Sequence, residues 1–274
     1  MLEQLLSQSA SPRLLSAMRY AVLGAGKRLR PFLVIESARL FNVPREFALR
    51  VGAALECVHC YSLVHDDLPA MDDDDLRRGE PTIHKKFDEA TAILAGDSLL
   101  TFAFEILAHK GTHPDAKIRS ALVLELAKAS GKDGMAGGQM LDIEAEKEST
   151  SALEHVMRIQ SHKTGALFRF ACEAGAIMAG ADRFPLHRYA DDIGLAFQIT
   201  DDLLDLESTP EQLGKATQKD TGKGKATIAD LMGCDAAQQK AESLVETAIA
   251  ALAPYGRAAD TLRATARFII SRKK

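Results

Sequence analysis

Apolar residues recur at intervals of three and four along nearly the whole chain, in stretches such as "RLLSAMRYAVLG", "ALRVGAALECVHCYSLVHD", "TAILAGDSLLTFAFEILAHK" and "ALFRFACEAGAIMAG". That period lays one apolar stripe along a helix, whereas the two-residue alternation of a half-buried strand is hard to find. Groups of Gly, Pro, Asp and Asn interrupt the pattern at 42–44, 79–81, 111–114, 130–134 and 181–185. The punctuation divides the chain into about ten helices. No linker longer than a loop separates two halves, so residues 1–274 are expected to form a single all-helical domain. Residues 208–227 lack the periodicity and carry Lys215, Lys219, Lys223 and Lys225. A mobile loop that closes over a ligand is expected there.

Composition narrows the function classes. Apolar residues make up 46% and charged residues 26% of 274 positions, which is enough for a substantial core and unlike a disordered chain. A net charge of -4 without a continuous basic stripe argues against a nucleic-acid binder. The start lacks the basic head and apolar run of a secretory signal, and no stretch reaches the ~18 apolar residues of a membrane span. A cytoplasmic protein without a membrane span is therefore expected. Cys57, Cys60, Cys172 and Cys234 form no second pair at metal-site spacing and are expected to be buried free thiols.

The candidate chemistry lies in two acidic clusters. In "HDDLPAMDDDDLRRG", six aspartates fall between Asp66 and Asp75 and are followed by Arg77 and Arg78. His59, Ser62 and Asp66 stand at i, i+3 and i+7 on the preceding helix and share a polar face. Pro69 would clash with the carbonyl of His65 in a continuing helix, so the helix is expected to end near Asp67. The chain can then turn back and bring Asp72 beside Asp66 and Asp67. Downstream, in "FQITDDLLDLE", Asp201, Asp202 and Asp205 crowd one helical stripe, which destabilises an isolated helix unless something neutralises the charge. Either cluster alone reads as a solvated acidic face. Ile199, Leu203, Leu204 and Leu206 weaken that reading, since they mark a helix that faces the core.

Carboxylates in this number suit a hard divalent cation, and Mg²⁺ is typically held by one or two of them together with substrate phosphates. The spacing does not match a twelve-residue calcium loop. Basic groups alternate with the acidic clusters: Lys27, Arg28 and Arg30 in "GKRLRP", Arg77 and Arg78, Lys163 beside Thr164, and the four loop lysines. Together they imply an anionic substrate with more charge than the metal neutralises, such as a diphosphate.

In combination, "GKRLRP", "DDLPAMDDDDLRRG", "GGQMLDI", "HKTGAL" and "FQITDDLLD" stand in the order and spacing of one family. From "GAGKRLRP" to "ARFIISRKK" the sequence resembles the trans-isoprenyl diphosphate synthases, nearest to their bacterial farnesyl diphosphate branch. The resemblance implies an isoprenoid synthase helical bundle around a central cavity, usually a homodimer. It implies that Asp66, Asp67, Asp72, Asp201, Asp202 and Asp205 bind three Mg²⁺ ions. Arg77, Lys163, Thr164, Gln198, Lys215 and Lys225 match the allylic diphosphate site, and Gly26, Lys27, Arg30, His59 and Arg78 match the isopentenyl diphosphate site. The implied reaction is the condensation of dimethylallyl or geranyl diphosphate with isopentenyl diphosphate, in which Asp66, Asp72, Arg77, Lys163 and Asp201 act on the departing diphosphate. A fifteen-carbon product is implied by Tyr61, five positions before the first aspartate, and by the two extra residues between Asp66 and Asp72. Tyr61 lies about 7.5 Å deeper along the helix than Asp66 but ~140° around it, so its role as a floor comes from the resemblance alone. Ser62 shares the aspartate's face and leaves room for a tail. The alternatives are a geranylgeranyl diphosphate synthase, a silent subunit of a heteromeric synthase and a terpene cyclase of related fold. The two intact acidic motifs disfavour the last two. Departures from the family pattern are "GAGKRLRP" for "GGKRLRP" and "KATIADLMG" for "KATYPALLG", together with a shorter N-terminal stretch.

Overall fold

A computed structural model describes residues 1–148, 152–207 and 227–272, with side chains throughout except at 146–148 and 207. Lys215, Lys219, Lys223 and Lys225, and with them nearly all of the expected loop, lie outside the described residues. The helices are α1 (Leu2–Leu5), α2 (Pro12–Leu23), α3 (Leu29–Leu40), α4 (Arg45–Asp66), α5 (Ile83–Lys86), α6 (Glu89–Ala108), α7 (Ala116–Ser130), α8 (Met135–Glu148), α9 (Leu153–Gln160), α10 (Ala166–Ala179), α11 (Phe184–Glu207), α12 (Ile228–Met232), α13 (Cys234–Ala251) and α14 (Asp260–Ser271). A π segment, Ser161–Gly165, joins α9 to α10, and a 3-10 segment, Ala253–Ala259, precedes α14. The expected breaks at 42–44 and 111–114 fall between helices, and that at 130–134 opens on Ser130, the last residue of α7. At 181–185 the helix begins within the break, because Pro185 fits a first turn whose amide needs no partner.

Local chemistry sets the boundaries. Ser11 caps α2 by accepting from the Leu14 amide, with Pro12 at the first helical position. Asp88 and Asp115 cap α6 and α7 in the same way, and Thr227 and Asp230 form a reciprocal capping box on α12. The helices share one apolar core that draws on α2 through α4, α6, α7, α10, α11, α13 and α14. Within it α4 packs on α3 and α6, α10 on α3 and α7, and α11 on α13. The fully buried Tyr189 donates its hydroxyl to the Leu262 carbonyl at 2.7 Å, tying α11 to α14.

Three expectations change. A two-stranded hairpin, β1 (Leu76–Arg77) with β2 (Glu80–Pro81), stands where only a break was read. Its turn residues Arg78 and Gly79 both have positive φ, 55° and 81°, the geometry of a tight primed turn. Second, α4 and α6 do reach the length and hydropathy of a membrane-crossing segment, with mean hydropathy 1.3 and 1.5 over their most apolar windows. Of those windows 61% and 44% are buried inside the bundle, while Ile93 and Leu94 on α6 are exposed. Third, Cys57, Cys60 and Cys172 are buried free thiols, but Cys234 is exposed, since it opens α13 outside the core.

Candidate active site

The first acidic cluster is shaped by the end of α4. The amide of Asp67 still bonds to the Leu63 carbonyl, after which the chain turns back, so that the Asp72 amide donates to the Asp66 carbonyl at 2.8 Å. The Asp74 amide donates to the Asp67 carbonyl at 3.2 Å, and Asp73 holds the turn at φ 52°. The fold-back therefore brings Asp66, Asp67, Asp72 and Asp74 together. Burial pushes the Asp66 carboxyl up to about 6; Asp72 and Asp67 add to the shift while Lys163 and Arg77 oppose it. The Asp67 carboxylate is almost fully buried and accepts two hydrogen bonds from Arg77, through Nε at 2.9 Å and Nη2. Asp74, which sequence reasoning did not single out, is also buried and lies 3.7 Å from the same guanidinium.

The hairpin turn sends the two adjacent arginines to different partners. Arg77 reaches Asp67, whereas Arg78 donates to the Ala25 carbonyl at 2.5 Å. A Cβ on Gly26 would lie 2.6 Å from Arg78 Nη1, so glycine there lets the guanidinium cross the backbone. Arg30 lies over the Phe168 ring at 5.1 Å and approaches His59, its Nη1 3.5 Å from Nε2. Burial holds the His59 imidazole well below its usual 6.5, and the charges of Arg30, Arg78, Arg77 and Arg28 lower it further. A neutral imidazole thus sits where four guanidinium fields overlap, a setting that attracts an anion. Lys27 is exposed nearby.

Arg28 does not stand free for a substrate. It donates to the buried carboxylate of Glu56, to the Val22 carbonyl at 2.5 Å and to the Gly24 carbonyl at 2.8 Å. It pins the turn between α2 and α3 to α4, and its value lies in the fold.

On the opposite wall, the π segment presents Lys163 and Thr164. Lys163 Nζ donates to Asp142 on α8 at 2.6 Å, and Thr164 donates to Gln198 on α11 at 3.3 Å. A Cβ on Gly138 would lie 2.2 Å from the Lys163 amide nitrogen, so the glycines of "GGQMLDI" bring α8 against the segment it orients. Asp142 was missed as a site residue; its place in that motif was the available signal.

The second acidic cluster is unevenly presented. Asp201 pairs with Arg272 at 2.7 Å, and burial raises its carboxyl while Arg272, Lys27 and Arg30 draw it back. Arg272 also lies over the Phe197 ring, 3.9 Å from its centroid. Asp202 is buried and accepts from Gln198 at 3.0 Å and from the Ile228 amide at 3.0 Å, which turns it toward α12. Asp205 is exposed.

Between these walls lies a cavity of about 280 Å³ lined by Arg30, His59, Tyr61, Ser62, Asp66 and Lys163, with Leu63, Met71 and Met135 as its apolar surface. Tyr61 and Ser62 both reach it, although the helical angle separated Tyr61 from Asp66. Buried in or beside its wall, Arg30 Nε and Gln139 Oε1 find no hydrogen-bond partner among the described residues, as expected of groups that await a polar ligand. For a metal, the donors are carboxylate oxygens, suited to a hard cation. Among the described residues no three His, Cys, Asp or Glu side chains converge to hold an ion unaided. Carboxylate oxygens fit Mg²⁺, which takes few protein carboxylates and completes its shell with water and phosphate.

The sequence profile described as polyprenyl synthetase matches residues 11–256. The chain belongs to the polyprenyl synthetase family. Among its relatives, the farnesyl diphosphate synthase of Escherichia coli (strain K12) is 47% identical over 266 residues, covering 94% of this chain and 88% of that protein. The farnesyl diphosphate synthase of Haemophilus influenzae is 44% identical over 273 residues, 97% of this chain and 91% of that protein. A crystal structure described as an FPP/GFPP synthase from Zymomonas mobilis superposes with a TM-score of 0.90 at 51% identity, over 98% of this chain and 93% of that one. The polyprenyl synthetase bundle is thus the fold that surrounds the cavity. Of the residues expected at the site, Arg30, His59, Tyr61, Ser62, Asp66, Lys163 and Thr164 line this cavity, Asp67, Arg77 and Arg78 line a separate one, and Lys215 and Lys225 lie outside the described residues.

Proposed function

We propose that this chain is a Mg²⁺-dependent transferase that joins dimethylallyl or geranyl diphosphate to isopentenyl diphosphate, giving (E,E)-farnesyl diphosphate and diphosphate. One observation carries the reading: a single cavity lined by Asp66, Lys163, Arg30 and a His59 held neutral in the field of four arginines, with Leu63, Met71 and Met135 as its apolar lining. Three Mg²⁺ ions would be held by the two acidic clusters, foremost Asp66, Asp72 and Asp201, with Asp67, Asp202 and Asp205 supporting them. Mg²⁺ bound there supplies Lewis-acid stabilisation of the charge that gathers on a departing diphosphate.

The chain's own residues supply the rest. Lys163, steadied by Asp142, and Arg77, steadied by Asp67, clamp the allylic diphosphate and favour rupture of its carbon–oxygen bond. Thr164 and Gln198 orient it, and Lys215 and Lys225 complete the basic shell. Lys27, Arg30, Arg78 and the neutral His59 hold the isopentenyl diphosphate, whose double bond attacks the allylic cation. The proton then lost goes to the released diphosphate. Leu63, Met71 and Met135 exclude the water that would quench the cation. Tyr61 closes the tail space and Ser62 leaves it open beside the aspartate, which limits growth to fifteen carbons. The enzyme acts in the cytoplasm as a homodimer; the apolar Ile93 and Leu94 on α6 and Leu124 on α7 are exposed.

The test is incubation of purified protein with Mg²⁺, isopentenyl diphosphate and either allylic primer, followed by identification of the products by mass. A dominant fifteen-carbon diphosphate supports the reading. A dominant twenty-carbon product would move it to geranylgeranyl diphosphate synthesis, and no turnover with either primer would refute it.

A further inference from the structure

Tyr61 does not stand alone in the cavity wall. One helical turn later His65 lines the same cavity, its imidazole packed edge-on against the Tyr61 ring with centroids 5.8 Å apart and planes 79° apart. His65 Nε2 donates to the Ile93 carbonyl of α6 at 3.1 Å. The ring lies directly over Gly96: a Cβ there would stand 2.0 Å from Nε2 and 2.4 Å from Cδ2. The imidazole therefore occupies the place of a side chain on α6. It is anchored from behind by a backbone carbonyl and abuts the tyrosine in front.

We propose that His65 is a positioning residue for product length, and that Gly96 sets its depth by leaving the imidazole its seat on α6. The inference rests on the farnesyl-forming reading and adds to it. Among the described residues the Tyr61 hydroxyl has no hydrogen-bond partner; the imidazole is the lateral stop that keeps its ring across the tail space. Without that stop the phenol can swing toward the space over Gly96, and the vacated volume becomes available to a longer tail. A methyl group at 96 acts in the opposite sense, since the bulk of α6 lies behind the imidazole and displacement goes toward the cavity.

The experiment measures product distributions and kcat/KM with both primers for wild type, His65→Ala, Gly96→Ala and the double variant, with thermal unfolding as a check of folding. His65→Ala should raise the ratio of twenty- to fifteen-carbon product while Tyr61 remains in place. Gly96→Ala should lower kcat/KM for geranyl relative to dimethylallyl diphosphate. Each ratio should move by about tenfold or more, the discrimination that a methylene-sized change in an apolar pocket provides. In the double variant the new methyl group partly fills the vacated space, and the product distribution should lie between those of the single variants. A general loss of stability lowers all rates but does not move these ratios in opposite directions. If wild type makes no fifteen-carbon product, the functional reading itself fails. If wild type makes it and folded His65→Ala keeps the wild-type distribution, or Gly96→Ala shifts toward longer product, the role of His65 is overturned.

Discussion

Asp66 carries a charge that the metal-free protein accommodates poorly. Its carboxyl stands at about 6 against an ordinary 3.8, first because burial strips it of water and then because Asp72 and Asp67 lie close. A folded-state value above the unfolded one means that the native protein holds the proton more tightly. The stabilisation from this group is complete below pH about 4, is lost as the pH rises through about 6, and stays lost above that. The difference between 6 and 3.8 corresponds to about 3 kcal/mol at 1.36 kcal/mol per pH unit. Asp66→Asn removes the charge and keeps the shape. With a chelator present at pH 7.5, the variant should be more stable than wild type by about 1–3 kcal/mol, which raises the unfolding midpoint by about 2–10 °C. The gap should close as the pH falls toward 4, and saturating Mg²⁺ should reverse its sign by stabilising only the charged form. Scanning calorimetry of both proteins across this pH range, with and without metal, makes the measurement. A variant no more stable than wild type at pH 7.5, or a gap that does not change with pH, would refute the reasoning. Activity lost together with stability gained would mark Asp66 as a site where folding is compromised for chemistry.

Other expectations are more local. Arg28→Ala leaves the buried Glu56 carboxylate unpaired and should cost about 3–5 kcal/mol in denaturant unfolding, while the paired change Arg28→Met with Glu56→Leu recovers most of it. Lys163→Ala should reduce kcat by about 10²–10³-fold if its ammonium stabilises the departing diphosphate, measured by steady-state assay with saturating metal. Tyr61→Ala should lengthen the product as read by mass, and an unchanged fifteen-carbon product would remove Tyr61 as the floor. A thiol reagent should label Cys234 alone in the native protein and the remaining three cysteines only after unfolding.

Much of the architecture was legible because long amphipathic helices announce themselves at a period of three to four residues, and because Pro69, Asn42 and Gly131 fall where helices stop. The return of Asp72 to Asp66 could be anticipated from Pro69 alone. Hidden from the sequence were the pairings that packing creates between distant segments. Arg28 meets Glu56 across 28 positions, Lys163 meets Asp142 across 21, and Arg272 meets Asp201 across 71. No local pattern signals these, so a lone arginine in "GKRLRP" looked as available to a phosphate as its neighbours. The unequal roles of adjacent aspartates were hidden for the same reason: Asp202 turns toward an amide supplied by α12, and Asp201 toward a guanidinium that follows α14.

The π segment between α9 and α10 carries an implication for how sequences of this kind should be compared. A π turn holds one residue more than an α turn within an otherwise continuous helix. Deleting one residue from 161–165 would heal the helix into regular α form, with no loop to shorten and no hydrogen bond lost. The helices on either side would keep nearly their present phase and rise, because the π turn already absorbs the extra residue as a local bulge. What would change is the bulge itself, which presents Lys163 to Asp142 and Thr164 to Gln198. An alignment gap at this point therefore marks the loss of a local bulge between helices that stay in phase, and relatives that carry one should be expected to present a different side chain at the place of Lys163.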